Sequence, residues 1–199
     1  VNMNKTLSII YLVSFLAIPL SLFSEDGSRL WLRYDPVADA AIRAKYSSSI
    51  SGYAVYGDSP VCNSAREELR SGLNGLLGKE VLYAGSKAKS GTVVAGTPEN
   101  SQLIASVFSM NELKSLPEGG YKIKTFYKGK KQYFIIASAT DAGVLYGSFH
   151  FLRILQTGKP IDNINITSYP KTQIRILNHW DNLNRSVERG YAGLSLWEW

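Results

Sequence analysis

The sequence predicts an α/β chain: a mixed sheet flanked by helices, followed by the start of a (β/α)8 barrel. Three observations predict it. Strand-like and helix-like apolar patterns alternate between residues 49 and 156, and one tight hairpin interrupts them at residues 121–138. A polar/apolar alternation at residues 173–177 then runs into His179, Trp180, Asp181 and Asn182, side chains suited to the C-terminal end of a barrel strand.

The elements follow in order. After an exposed start, residues 49–56 read as a strand broken by Gly57, Asp58, Ser59 and Pro60. Ala65, Leu69, Leu73 and Leu76 recur at helical spacing as one apolar stripe, with Arg66, Glu67 and Arg70 on the other side and Gly78 as the stop. Residues 92–95 form a short buried strand. Thr97 is placed to cap the next helix, with Pro98 in its first turn and Leu103, Ile104, Val107 and Phe108 as its buried face. Gly119 and Gly120 open the hairpin, whose strands cover residues 121–128 and 131–138 about a turn at Gly129. Asp141 is placed to cap a helix running to Gln156, with Leu145, Phe149 and Leu152 at helical spacing and Gly158 and Pro160 as its end.

Three segments result: a signal peptide at residues 1–24, an accessory domain at 25–169 and the incomplete start of a barrel at 170–199, with Tyr169 and Pro170 as the linker. Lys5 is the only charge before Glu25, and residues 7–23 are almost entirely apolar. That run is shorter than the roughly 20 residues of a spanning helix and contains Pro19, so export with cleavage is expected rather than a stable membrane anchor. Cleavage removes only Lys5 from a formal net charge of +6.

An exported chain with Cys62 as its one thiol has no internal disulfide, so packing must hold the core. The same lone cysteine, near the start of an amphipathic helix, reads as packing rather than as a nucleophile. No G-x-G-x-x-G, cysteine pair or H-E-x-x-H occurs, so no nucleotide or metal cofactor is expected. Gly72, Gly75 and Gly78 lack the register of a phosphate loop, because Leu73 stands where its first glycine belongs. In the hairpin, Lys122 and Lys124 share one strand face opposite Tyr121 and Ile123, which reads as a solvated outer face and not as a nucleic-acid surface. His150, among Phe149, Phe151 and Leu152, reads as a half-buried helix residue.

Two groups remain as candidate substrate-binding residues. His179, Asp181 and Asn182 either brace the first barrel loop or contact substrate. Trp197, Glu198 and Trp199 set aromatic rings beside a carboxylate, which suits the apolar C–H faces and hydroxyl edges of a sugar, although two tryptophans equally suit a core.

The segments NHWDNL at 178–183, ERGYAG at 188–193 and SLWEW at 195–199 together resemble the opening of the catalytic barrel in the α-glucuronidases of glycoside hydrolase family 67, which act on xylan side chains. LWLRYDPV at 30–37, VVAGTPENSQLI at 93–104 and DAGVLYGSFHFLRIL at 141–155 resemble that family's N-terminal domain in the same order. The GTPE turn and the G-x-x-Y-G helix also resemble the accessory domain of β-hexosaminidases, whose barrel opening NHWDN to WEW does not fit. The resemblance implies hydrolysis of α-1,2-linked (4-O-methyl)glucuronic acid from xylo-oligosaccharides, with inversion and without a cofactor. It implies two partners: glucurono-xylooligosaccharides and the remaining catalytic barrel of the same polypeptide. Glycoside cleavage generally needs two carboxyl groups, which Glu198 alone cannot supply, so no catalytic residue is assigned here. The alternative is a stand-alone, non-catalytic carbohydrate-binding or interaction domain.

Overall fold

Two strands are apolar on both faces and set the plan of the molecule, whose computed structural model describes residues 32–172 and 174–176. Along β3 (Thr92–Gly96), Val93 and Ala95 enter one apolar cluster while Val94 enters another. Along β5 (Lys131–Ser138), Phe134 and Ile136 join the first and Tyr133, Ile135 and Ala137 the second. Successive strand residues point to opposite faces, so continuous apolar runs demand a cover on both sides.

The remaining strands are β1 (Gly52–Val55), β2 (Leu82–Tyr83), β4 (Tyr121–Lys128) and β6 (Asn165–Ser168). Their order is β2-β1-β3-β5-β4-β6, with β1 parallel to β2 and β3, β3 parallel to β5, and β4 antiparallel to β5 and β6. The mixed sheet and the hairpin therefore stand as the sequence predicts. The first face is covered by α2 (Pro60–Leu77) and α5 (Asp141–Gln156), the second by the short α3 (Gln102–Ala105) and α4 (Met110–Lys114).

Glycines let α2 and α5 lie close to each other and to the sheet. A Cβ on Gly72 would come within 2.6 Å of the Leu152 side chain, and one on Gly147 within 2.5 Å of Ile136. At Gly143 it would meet Ser138 Oγ at 2.1 Å and the Gly120 carbonyl at 2.7 Å. Ser59 caps α2 by accepting from the Cys62 N–H at 3.1 Å, and Gly78 ends it in the left-handed region at φ 64°.

Several boundaries depart from the sequence reading. Ser49 ends a helix, α1 (Ala40–Ser49), instead of beginning a strand; only Tyr46 is buried on it, so there was no apolar stripe to read. Its cap is Asp39, which accepts from the Ala41 and Ile42 amides. Thr97 does not cap a helix, because residues 97–100 close a turn through Asn100 N–H to Thr97 C=O, and Ser101 is the cap of α3. Thr140, not Asp141, caps α5 by accepting from the Gly143 amide; Asp141 is its first residue, where a carboxylate favours the helix dipole. Leu145 and Phe149 are half-buried, and the buried face of α5 runs instead through Val144, Phe151, Leu152 and Leu155.

The lysine face of the hairpin is covered, not solvated. Register pairs Lys122 with Ala137 and Lys124 with Ile135, which places both lysines on the α3/α4 side. Their ammonium groups lie 5.7 and 6.0 Å from the Phe108 ring centroid, and Lys122 donates to Glu112 at 2.5 Å. The stems thus cover apolar surface while the charged heads reach its rim. After β6 the described chain carries no further strand: Ile174 and Ile176, expected within a buried barrel strand, are 79% and 81% exposed. A barrel strand forms by pairing with neighbours, which the described residues do not supply.

Replacing Gly143 by Ala should lower the urea midpoint by the equivalent of about 1–3 kcal/mol, because Ser138 belongs to β5 and its hydroxyl holds the Gly120 carbonyl in place. Gly129→Asn, at a turn with open space and φ 60°, should change stability by less than about 0.5 kcal/mol. Equal effects of the two would refute the close-approach argument.

Candidate functional site

Adjacent parallel strands β1 and β3 send the chain to opposite faces of the sheet. From β1 it turns through Tyr56–Ser59 into α2; from β3 it turns through Thr97–Ser101 into α3. The two connections diverge and leave a crevice beyond the strand ends, the place where open α/β sheets generally hold ligands.

A cleft of about 350 Å³ occupies that point, bounded by Tyr56, Gly57 and Asp58 after β1, Asn100 after β3, Tyr83 on β2 and Arg66 on α2. Tyr56, Ser86 and Asn100 also line a groove of about 580 Å³ that continues past Lys87 and Gln102 to Lys128 and Tyr133. The Tyr56 hydroxyl donates to the Gly85 carbonyl at 3.1 Å and so ties the loop after β2 to the end of β1. Gly57 has φ 127°, and a Cβ there would lie 2.7 Å from Cys62 Sγ, so only glycine makes this turn.

Arg66 is the most tightly placed cation in the cleft. Its Nη2 donates to the Gly57 and Val55 carbonyls at 3.0 and 3.2 Å, and its Nη1 donates to Asn63 Oδ1. The guanidinium carbon lies 5.7 Å from the Tyr83 ring centroid. Nε is buried without a hydrogen-bond partner, and no carboxylate pairs with Arg66 among the described residues. Carbonyl dipoles orient the guanidinium but leave its charge unneutralised. Lys87 and Lys128 add positive charge, and Asp58 is the one acid among the lining residues. One carboxylate is fewer than the two that glycoside cleavage generally uses.

The candidates named from sequence, His179, Asp181, Asn182, Trp197, Glu198 and Trp199, all lie outside the described residues. Cys62 is fully buried, and burial pushes its thiol up from the ordinary range, with the Asp141 carboxylate adding to the shift. A thiol so placed is a poor nucleophile, in keeping with its packing role. Among the described residues no group of three His, Cys, Asp or Glu side chains is arranged to hold a metal ion, and no helix is long and apolar enough to cross a membrane. Sequence reading left Arg66 on the outer side of its helix and passed over Tyr83 and Asn100. The available signal was the Gly57-Asp58-Ser59-Pro60 break itself, which marks a strand end opening onto a helix.

Among family models, residues 30–151 match the glycosyl hydrolase family 67 N-terminus, and residues 154–199 match that family's middle domain. The chain is 31% identical over 189 residues to a probable alpha-glucuronidase A of Aspergillus oryzae, covering 92% of this chain and 22% of that protein. It is 30% identical over 198 residues to an alpha-glucuronidase of Hypocrea jecorina, covering 93% and 22% respectively. Against alpha-glucuronidase A of Emericella nidulans the figures are 30% over 185 residues, with 88% and 21% covered. The chain thus spans about a fifth of the length of these relatives. A solved family GH115 4-O-methyl-alpha-glucuronidase with specificity for decorated arabinogalactans aligns over 61% of this chain and 17% of its own, at 18% identity and a TM-score of 0.48.

His150 supplies a pH test of the packing around α5. It is half-buried, its Nδ1 lies 3.0 Å from the Tyr121 hydroxyl, and its pKa is lowered by burial first, then by Arg153 and Lys159. The folded chain therefore binds this proton less readily than the unfolded chain, whose histidine keeps an ordinary value of 6.5. Stability is full above that value and declines as pH falls below it. The urea midpoint should drop between about pH 7 and about pH 5, and His150→Gln should flatten the drop. An unchanged slope in the variant would refute the assignment.

Proposed function

The chain belongs to glycosyl hydrolase family 67, and we propose that it is the N-terminal portion of an exported α-glucuronidase. The whole enzyme removes α-1,2-linked (4-O-methyl)glucuronic acid from xylo-oligosaccharides. Relatives named alpha-glucuronidase that align over about nine-tenths of the chain carry this reading.

The chemistry of the proposed reaction sets what the remaining polypeptide must contribute. An inverting glycosidase uses one carboxylic acid to protonate the leaving oxygen and one carboxylate to activate a water on the opposite face of the sugar. The uronic carboxylate needs a cationic partner, for which a bidentate arginine is the natural group. These duties fall to later barrel strands. Residues 25–169 form the accessory domain in this reading, and 170–199 open the barrel, with His179, Asp181, Asn182, Trp197, Glu198 and Trp199 forming at most one wall of the sugar pocket. The two family models meet within α5, yet β6 still pairs with β4, which favours a boundary after residue 168. Lys5 and the apolar run at 7–23 support export, with a mature N-terminus close to Glu25.

The coding sequence should continue in frame past codon 199, and its full product should release glucuronic acid from aldouronic acids, while the purified 199-residue chain releases none. Turnover by the 199-residue chain, or a full product inactive on every aldouronic acid, would overturn the reading. N-terminal sequencing of exported material should find a start close to Glu25, and retention of Met3 would sink the signal-peptide assignment.

A further inference from the structure

We propose that the cleft between the ends of β1 and β3, with its groove toward Lys128, is a non-catalytic binding site for an acidic oligosaccharide, its carboxylate read by Arg66. The choice of a uronic acid over other acidic sugars rests on the function proposed above; the rest comes from the site itself.

Charge points to an anion. Among the described residues, Lys45 pairs with Asp162, Arg70 with Glu67 and Lys122 with Glu112, whereas the hydrogen bonds of Arg66 go to carbonyl and amide oxygens, and Asp58 is the one acid that lines the cleft with it. A guanidinium held on neutral carbonyls keeps its positive charge at the cleft wall, which favours an external carboxylate, and Lys87 and Lys128 extend the positive field along the groove. Besides Arg66 Nε, a second buried polar atom without a partner, Thr97 Oγ1, belongs to the first residue after β3.

The anion is not read as a phosphate at a helix start. Ser59 Oγ, the capping group of α2, is taken by the Cys62 amide, and Pro60 at the first helical position has no N–H to offer. Arg66 therefore meets the ligand through its side chain, the mode suited to a planar carboxylate.

The other groups suit sugar rings. Tyr83 is 48% exposed on the edge strand and offers a ring face beside Arg66, while Asn100, Gln102 and Ser86 offer amides and a hydroxyl to sugar hydroxyls. Cleft and groove each fall within the usual 300–1,000 Å³ of ligand sites, and their shared wall gives room for more than one ring.

The test titrates the 199-residue chain by NMR or calorimetry with 4-O-methylglucuronosyl xylotriose, with xylotriose and with inorganic phosphate. The acidic sugar should bind, and binding should weaken with added salt, by at least about tenfold in Arg66→Gln, and by several-fold in Tyr83→Ala. Should Arg66→Gln fail to fold, Lys87→Glu combined with Tyr83→Ala, both on exposed positions, should give the same loss. No binding of the acidic sugar, equal binding of xylotriose, or equal binding of phosphate would overturn the proposal. Glucuronic acid release by the full product is read without reference to Arg66, so a failed cleft and a failed enzyme assignment are told apart.

Discussion

The close approach of α2 and α5 over one face of the sheet is the constraint on which the rest of the structure depends. Leu152 of α5 fills the space a side chain at Gly72 would occupy, and Gly143 and Gly147 let the same helix settle onto Ser138 and Ile136 of β5. Protein interiors are packed near crystal density, so one missing Cβ between the helices and two between α5 and the sheet change how near these elements can come. Gly75 extends the effect outward, because the Tyr34 carbonyl lies where its Cβ would be, at 2.3 Å. The same residue's hydroxyl donates to Glu68 at 2.8 Å, and burial raises its pKa far above the ordinary tyrosine value. The segment before α1 is thereby anchored to α2.

That packing determines the cleft. With the leucine stripe of α2 turned inward, the helix must leave β1 through a turn sharp enough to need glycine at position 57. The turn presents the Val55 and Gly57 carbonyls at strand end, and Arg66 is the α2 residue that reaches them. Strand-end carbonyls without a following strand residue require donors, and a guanidinium supplies several from one side chain. The surface pairs act differently. Lys45 and Asp162 are each about half exposed, so their 2.6 Å contact adds little to stability.

What was legible in the sequence was whatever carries a strong period or a glycine stop. The hairpin strands 121–128 and 131–138, the α2 stripe and the ends at Gly78 and Gly158 follow from those signals. Elements without a buried stripe were not legible: α1 buries one tyrosine, β2 has two exposed residues, and β6 alternates exposed with half-buried positions. Neighbouring capping residues compete, as Thr140 does with Asp141, and the outcome depends on backbone geometry that composition does not encode. The cleft was hidden for a related reason. Arg66 sits at a polar position of an amphipathic helix, and only the course of the chain at β1 and β3 turns that position from solvent to strand ends.

β6 is the outer strand of the sheet on the hairpin side. Its register pairs Tyr121 with Ser168 and Lys124 with Asn165, while Thr125 Oγ1 donates to the Ile161 carbonyl and accepts from the Ile164 amide, both buried. Residues through 168 are therefore bound into the accessory sheet by backbone pairing and by a satisfied internal polar group. Beyond Pro170 the described contacts become sparse and superficial: Arg175 lies over the Tyr146 ring at 5.0 Å, and the flanking isoleucines face outward. Two exposed isoleucines around one arginine form a short alternating segment whose apolar groups remain available for burial by chain that follows. At roughly 25 cal/mol per Å² of apolar area, covering them contributes a few kcal/mol. Among the described residues β6 therefore closes the sheet, and Ile174 and Ile176 stay outside its core.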